Sequence, residues 1–279
     1  MFTLQITDLK DYLEKNQKVV LAFLFGSYAK GFEMEESDFD LGIYFKDYSQ
    51  KEEDRIWFDV ARIIKKEVDL VCLNEAPASL ISSVFKTGIP LVIRDKNLYW
   101  NLYLKVSLEA EDFSRFVEDF ERIKKRAKSL AEEEKINLRL RCDFLETEFN
   151  EQDRFKELSW KEYLEDRDKR RLIERWTENI LNATIDIAKI ILASEKKRMP
   201  RSYEEALFDF ALLIGFDMEA AKKFSRFANL RNLLAHEYLD ILYQRIQYFI
   251  QEAPEFYKRI FNFVTAQLSI DSSLRENNI

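Results

Sequence analysis

The spacing of apolar residues changes character once along the chain, separating a strand-bearing segment from a helical one. Residues 3–16 read as a short helix, and residues 19–25 form an apolar run ending at Gly26-Ser27, the pattern of a buried strand entering a turn. Residues 38–45 and 67–73 are further strand candidates, separated by a helix-like stretch over 52–66. After Gly88-Ile-Pro90, a short apolar run over 91–93 closes this part, and the sequence predicts no strand beyond it. Phe113, Phe116, Phe120 and Ile123 then repeat at helical spacing, and the charged stretch Ala131-Glu-Glu-Glu-Lys135 reads as a solvated junction. Helices are predicted over 135–150, 168–194, 203–214, 218–230 and 240–268, with breaks at 194–202 and Gly215 and a frayed polar tail over 272–279. The expected fold class is α+β: a small mixed-sheet domain over 1–132, with its core over 10–95, then an all-α helical bundle over 133–279.

Composition sharpens this picture. A chain of 279 residues, 47% hydrophobic, suits two ordinary domains, and 5 Gly and 4 Pro against 34% charged residues favour helices over a turn-dense β fold. Cys72 and Cys142 stand alone without a CxxC pair, as expected of reduced thiols in a cytoplasmic protein. No basic segment precedes an apolar run at the N-terminus, and no stretch is long enough to span a bilayer, so a soluble, unexported chain with no membrane partner is expected. The net charge is -7, and neither half carries an excess of Lys and Arg. Any RNA contact must then use a local patch, such as Lys196, Lys197, Arg198 and Arg201, although a solvated loop between helices accounts for those residues equally well.

The first candidate chemistry lies at the end of the first strand. In Phe25-Gly-Ser-Tyr, Gly26 permits a tight turn, the following amides can face a phosphate, and Ser27 adds a hydroxyl donor. Asp38 and Asp40 are two apart, so on a strand both carboxylates project from one face, a placement that suits Mg²⁺. Asp69 is a carboxylate in an otherwise apolar strand, where burial without a partner is costly and a metal would supply the partner. Such a trio fits two-metal phosphoryl transfer, with Asp69 also placed to help remove an acceptor proton. A surface turn followed by solvent-facing acids is the plainer account of the same residues.

Gly-Ser, ten residues, then Asp-x-Asp, with a third acid on a later strand, resembles the minimal nucleotidyltransferases of the polymerase β superfamily. The ten residues here are 28–37, and the resemblance covers roughly 10–95. It implies a two-metal Mg²⁺ site on Asp38, Asp40 and Asp69, with ATP as substrate held near Gly26 and Ser27.

The second candidate lies in Leu230-Arg-Asn-Leu-Leu-Ala-His-Glu-Tyr, which contains the one histidine of the chain. His236 is the imidazole available for acid/base work, and Arg231 is a permanent planar cation suited to phosphate. Together they could cleave RNA without metal: His236 would move a proton at the 2′-hydroxyl or the leaving oxygen while Arg231 stabilises the phosphorane. Five residues along an ideal helix turn about 500°, so the segment must bend, or two copies must meet across a dimer to build one cleft. Alternatively, Arg231 and His236 satisfy helix ends within the bundle, and Tyr238 is an ordinary half-buried tyrosine.

Arg-x4-His-x-Tyr in a helical domain resembles the HEPN ribonucleases of the HepT type, as do Ser159-Trp160, residues 163–168 and the helix bearing Asn182, Asp186 and Ile187, so the resemblance spans about 133–268. That family pairs with MntA-type nucleotidyltransferases acting as antitoxins, which transfer AMP to the motif tyrosine. The chain thus resembles a toxin-antitoxin fusion in which the first domain adenylylates Tyr238 and silences an RNase domain, assembled as a homodimer through its helices. Two other readings compete. One is a small-molecule nucleotidyltransferase resembling the aminoglycoside-modifying enzymes, and the other is a non-catalytic dimeric assembly protein.

Overall fold

A computed structural model describes residues 2–29, 38–126, 130–234 and 239–276. The first part runs α1 (Phe2–Lys15), β1 (Val19–Leu24), α2 (Gly26–Ala29), β2 (Phe39–Phe45), α3 (Gln50–Ile64), β3 (Val68–Cys72), α4 (Ala78–Thr87), β4 (Ile89–Ile93) and α5 (Lys96–Lys124). Helices follow: α6 (Glu132–Asn150), α7 (Asp153–Lys156), α8 (Trp160–Glu165), α9 (Arg167–Ser194), α10 (Tyr203–Leu213), α11 (Met218–Ser225), α12 (Phe227–Leu234) and α13 (Leu239–Glu276). The chain divides into two compact units, Met1–Phe113 and Ser114–Ile279, with the division inside α5.

Unit 1 is built on a mixed four-stranded sheet of order β3-β2-β1-β4. β1 pairs antiparallel with β2 and β4, while β2 and β3 run parallel, joined through α3. Every residue of β1 is buried, which explains its unbroken apolar run: both faces of the sheet are covered. Leu9, Leu13, Ile56, Val60 and Ile64 of α1 and α3 share one core with Ala22, Leu24, Leu41 and Ile43. Ile81, Val84, Phe85 and Val106 of α4 and α5 share another with Val20, Leu21 and Phe23. The sheet therefore presents β1 and β2 as a rigid floor whose ends carry the polar residues.

Unit 2 is organised around α9, whose second half is buried almost throughout, from Ile180 to Ser194. Side-chain caps set the helix starts: Ser159 and Glu162 close a capping box on α8, and Asp166, Ser202 and Asp217 accept backbone amides at α9, α10 and α11. The helix predicted over 218–230 is two helices. Ser225 donates its hydroxyl back to the Lys222 carbonyl where α11 ends, a local competitor to regular helix bonding.

α13 contains Pro254, which lacks the N–H that would bond the Ile250 carbonyl. The buried Gln152 side chain donates to that carbonyl instead, so the proline is tolerated in a long helix. Nearby, Tyr257 is fully buried and its hydroxyl meets Thr184 of α9 at 2.9 Å. No described helix is long and apolar enough to cross a membrane.

Candidate active sites

The first site forms where β1 ends. Gly26 has φ +72°, and a Cβ built there would lie 1.8 Å from Asp40 Oδ2, so the backbone fits against that carboxylate because the residue is glycine. β2 fixes the approach: Phe25 N–H donates to the Asp40 carbonyl at 3.0 Å, and the Ser27 N–H donates to the Asp40 side chain. The parallel register of β2 and β3 places Asp69 directly opposite Asp40. Asp38, immediately ahead of β2, is exposed, while Asp40 is half-buried.

Burial pushes the Asp40 carboxyl above its usual range, the charges of Asp69 and Asp38 push it further, and the Ser27 amide works the other way. The structure thus brings Gly26, Ser27, Asp38, Asp40 and Asp69 to one strand end. One expectation needs correction. Asp69 is exposed, because β3 is an edge strand, so the cost of burying it is not a reason for a metal there. The reason that remains is repulsion: hard oxygen donors crowd Asp40 with negative charge, a set that suits a divalent cation. Among the described residues, no three acidic, His or Cys side chains are already gathered closely enough to hold one.

Lys66 is a neighbour that sequence reasoning missed. Its Nζ donates to the Tyr28 hydroxyl at 2.7 Å, bringing a cation beside the residue that follows Ser27. Tyr28 is itself buried against Phe39. No motif position marks Lys66, which reaches the site from the loop between α3 and β3.

The second site is held by α9, α10 and α12. Arg231 Nε donates to Asn182 Oδ1 of α9 at 2.6 Å, and the guanidinium lies 4.8 Å from the ring centroid of Tyr203 on α10. The planar cation is therefore fixed in orientation from two sides. His236 and Tyr238 lie outside the described residues, between α12 and α13. The basic patch expected at 196–201 is partly committed elsewhere. Lys196, in the left-handed conformation at φ 57°, donates to the carbonyls of Lys124 and Arg126, and Arg198 pairs with Glu205.

A strand-end carboxylate site on a mixed sheet, followed by a helical domain with an anchored arginine, describes a nucleotidyltransferase domain joined to a HEPN-like domain. The polymerase beta nucleotidyltransferase family matches residues 7–97, and the ribonuclease HepT-like family matches residues 118–263. The chain belongs to the HepT-like ribonuclease family and carries, ahead of that domain, a nucleotidyltransferase domain of the polymerase beta type. Among solved structures it is similar to a toxin-antitoxin complex with AMP-PNP, at 23% identity over 42% of this chain and 98% of that one, with a TM-score of 0.35. A tri-AMPylated Shewanella oneidensis HEPN toxin in complex with an MNT antitoxin is similar at 22% identity over 42% and 98%, with a TM-score of 0.33. No curated protein matches the chain.

Proposed function

We propose that the chain is a toxin-antitoxin fusion that silences itself, its first unit transferring AMP from ATP to Tyr238 of its second. Asp40 is the observation that carries this reading. It is pressed against a glycine with positive φ, takes the Ser27 amide, and is crowded by Asp38 and Asp69 at the end of a buried strand. That arrangement suits a polyphosphate that arrives with its own counter-ions.

Mg²⁺ held by Asp38, Asp40 and Asp69 supplies positive charge opposite the triphosphate when bound. Gly26 keeps the turn close to the strand end so that Ser27 can orient a phosphate oxygen. The Tyr238 phenol oxygen attacks the α-phosphorus. A new O–P bond forms, the bond to the α–β bridging oxygen breaks, pyrophosphate leaves, and the phenol proton passes to Asp69.

The second unit, in this reading, cleaves RNA. Arg231, held by Asn182 and Tyr203, faces the scissile phosphate, and His236 moves the proton of the attacking 2′-hydroxyl. AMP on Tyr238, two residues from His236, adds bulk and negative charge where the RNA phosphate must enter. A homodimer through the helical unit brings two such motifs to one cleft, and the assembly works in the cytoplasm.

Single-stranded RNA tests the silencing. Chain carrying Asp38→Asn and Asp40→Asn, unable to modify itself, is expected to cut the RNA, and wild-type chain incubated first with ATP and Mg²⁺ is expected to leave it intact. Equal cutting by both, or by neither, contradicts the reading.

A further inference from the structure

The helical unit holds an open pocket of about 430 Å³ between α10, α12 and α13. It lies beside Arg231 rather than at it. Tyr203 carries the Arg231 guanidinium, and the next residue, Glu204, accepts a hydrogen bond from Asn229 on the pocket wall at 3.0 Å. The same two helices therefore position both features.

The lining has the chemistry of a nucleotide site. The Arg226 and Arg245 side chains are exposed there and, among the described residues, make no ion pair or hydrogen bond, whereas the Glu204 carboxylate accepts a hydrogen bond from Asn229. Tyr248 offers a ring that is 41% exposed, with Lys223 Nζ 5.9 Å from its centroid. Phe227 adds apolar wall. On a chain of net charge -7, two arginines that form no ion pair among the described residues, facing a single carboxylate beside an open aromatic ring, make a local anion site with a stacking surface. The volume falls in the range of small-ligand pockets, about 300–1,000 Å³.

We propose that this pocket binds one ribonucleotide unit of single-stranded RNA, its base on Tyr248 and its phosphate between Arg226 and Arg245, next to the phosphate that Arg231 faces. The inference rests on reading the helical unit as a ribonuclease. It gives that unit a substrate grip separate from its catalytic residues, built by residues outside the Arg-x4-His-x-Tyr motif. A free nucleotide shares the same phosphate and base chemistry, so the test separates the two sources.

The full chain, with an intact mass showing no adduct, is titrated against a fluorescent single-stranded RNA in EDTA across a range of salt. Arg226→Gln with Arg245→Gln is expected to weaken binding about tenfold and to reduce the log–log salt slope by about 0.7, the value for one phosphate contact on a single strand. Tyr248→Ala is expected to weaken binding about fivefold or more with the slope unchanged. Free AMP is expected to compete only at concentrations far above those of RNA nucleotides. Unchanged affinity and slope in these variants, no RNA binding by the wild type, or AMP binding that the variants abolish while RNA binding persists would each overturn the proposal. RNA binding lost in the pocket variants when no chain cuts RNA leaves the pocket and removes the ribonuclease reading. Cutting that depends on Arg231 but ignores the pocket variants does the reverse.

Discussion

At the end of β1, carboxylates crowd one another, whereas in the helical unit Arg231 already has a hydrogen-bond partner and an aromatic platform. The first arrangement leaves the Asp40 carboxyl half-buried and under the charges of Asp69 and Asp38, a penalty that a bound cation would relieve. The second stores orientation, because Asn182 and the Tyr203 ring hold the guanidinium plane from two sides. A site of the first kind would gain stability when loaded, whereas the orientation of the second comes from its own neighbours.

Asp40→Asn sets these apart most strongly. It is expected to lower AMP transfer by at least about a hundredfold, since a charged ligand of the cation that would face the phosphates is lost. Without metal, the same variant is expected to melt at a higher temperature, because a half-buried carboxyl under repulsion becomes neutral. The sign with pH follows from the raised carboxyl: in the wild type, stability is intact below the ordinary carboxylate range and falls as pH rises through the Asp40 value. The thermal advantage of Asp40→Asn should therefore vanish at low pH and grow toward neutrality, as melting curves across pH would show. A constant difference would mean that Asp40 is not under strain.

Gly26→Ala reverses that stability change. A Cβ there would sit 1.8 Å from Asp40 Oδ2 on a backbone with φ +72°. Transfer is expected to fall with it, and unfolding to become easier by about 1–3 kcal/mol, measured by denaturant titration. In the helical unit, Arg231→Ala is expected to slow RNA cleavage about a hundredfold and Asn182→Ala about tenfold, with the thermal midpoint little changed in the second. Equal rates for Asn182→Ala and wild type would show that the contact is packing alone.

The first site was legible because its residues come in one short stretch whose spacing matches strand periodicity: Gly26, Ser27, Asp38 and Asp40 meet through neighbouring strands. Asp69 was read as buried because its neighbours are apolar, but an apolar run does not say that β3 is an edge. The anchoring of Arg231 was less legible. Asn182 belongs to the stretch that resembles the HepT-type proteins, yet it is 49 residues away from Arg231, and a helix mostly buried all round does not reveal which turn faces a partner. The basic run at 196–201 displays its charges but hides their partners, which come from Glu205 and from the carbonyls of Lys124 and Arg126.

A last substitution, at a residue that belongs to neither site, calibrates the others. Gln152→Ala leaves the Ile250 carbonyl, freed by Pro254, without its donor, and is expected to cost about 1–3 kcal/mol in denaturant unfolding with neither activity altered in the folded state. Loss of activity along with stability would mean that the helical unit transmits packing changes to its site.

The account turns on one covalent bond. Purified chain is incubated with labelled ATP and Mg²⁺, digested, and its Tyr238 peptide weighed by mass spectrometry, alongside chain carrying Asp38→Asn and Asp40→Asn. The account predicts the mass of one or more AMP groups on Tyr238 in the wild type and none in the variant. Unmodified Tyr238 in a chain that binds ATP would contradict it, and would point to an acceptor outside the chain.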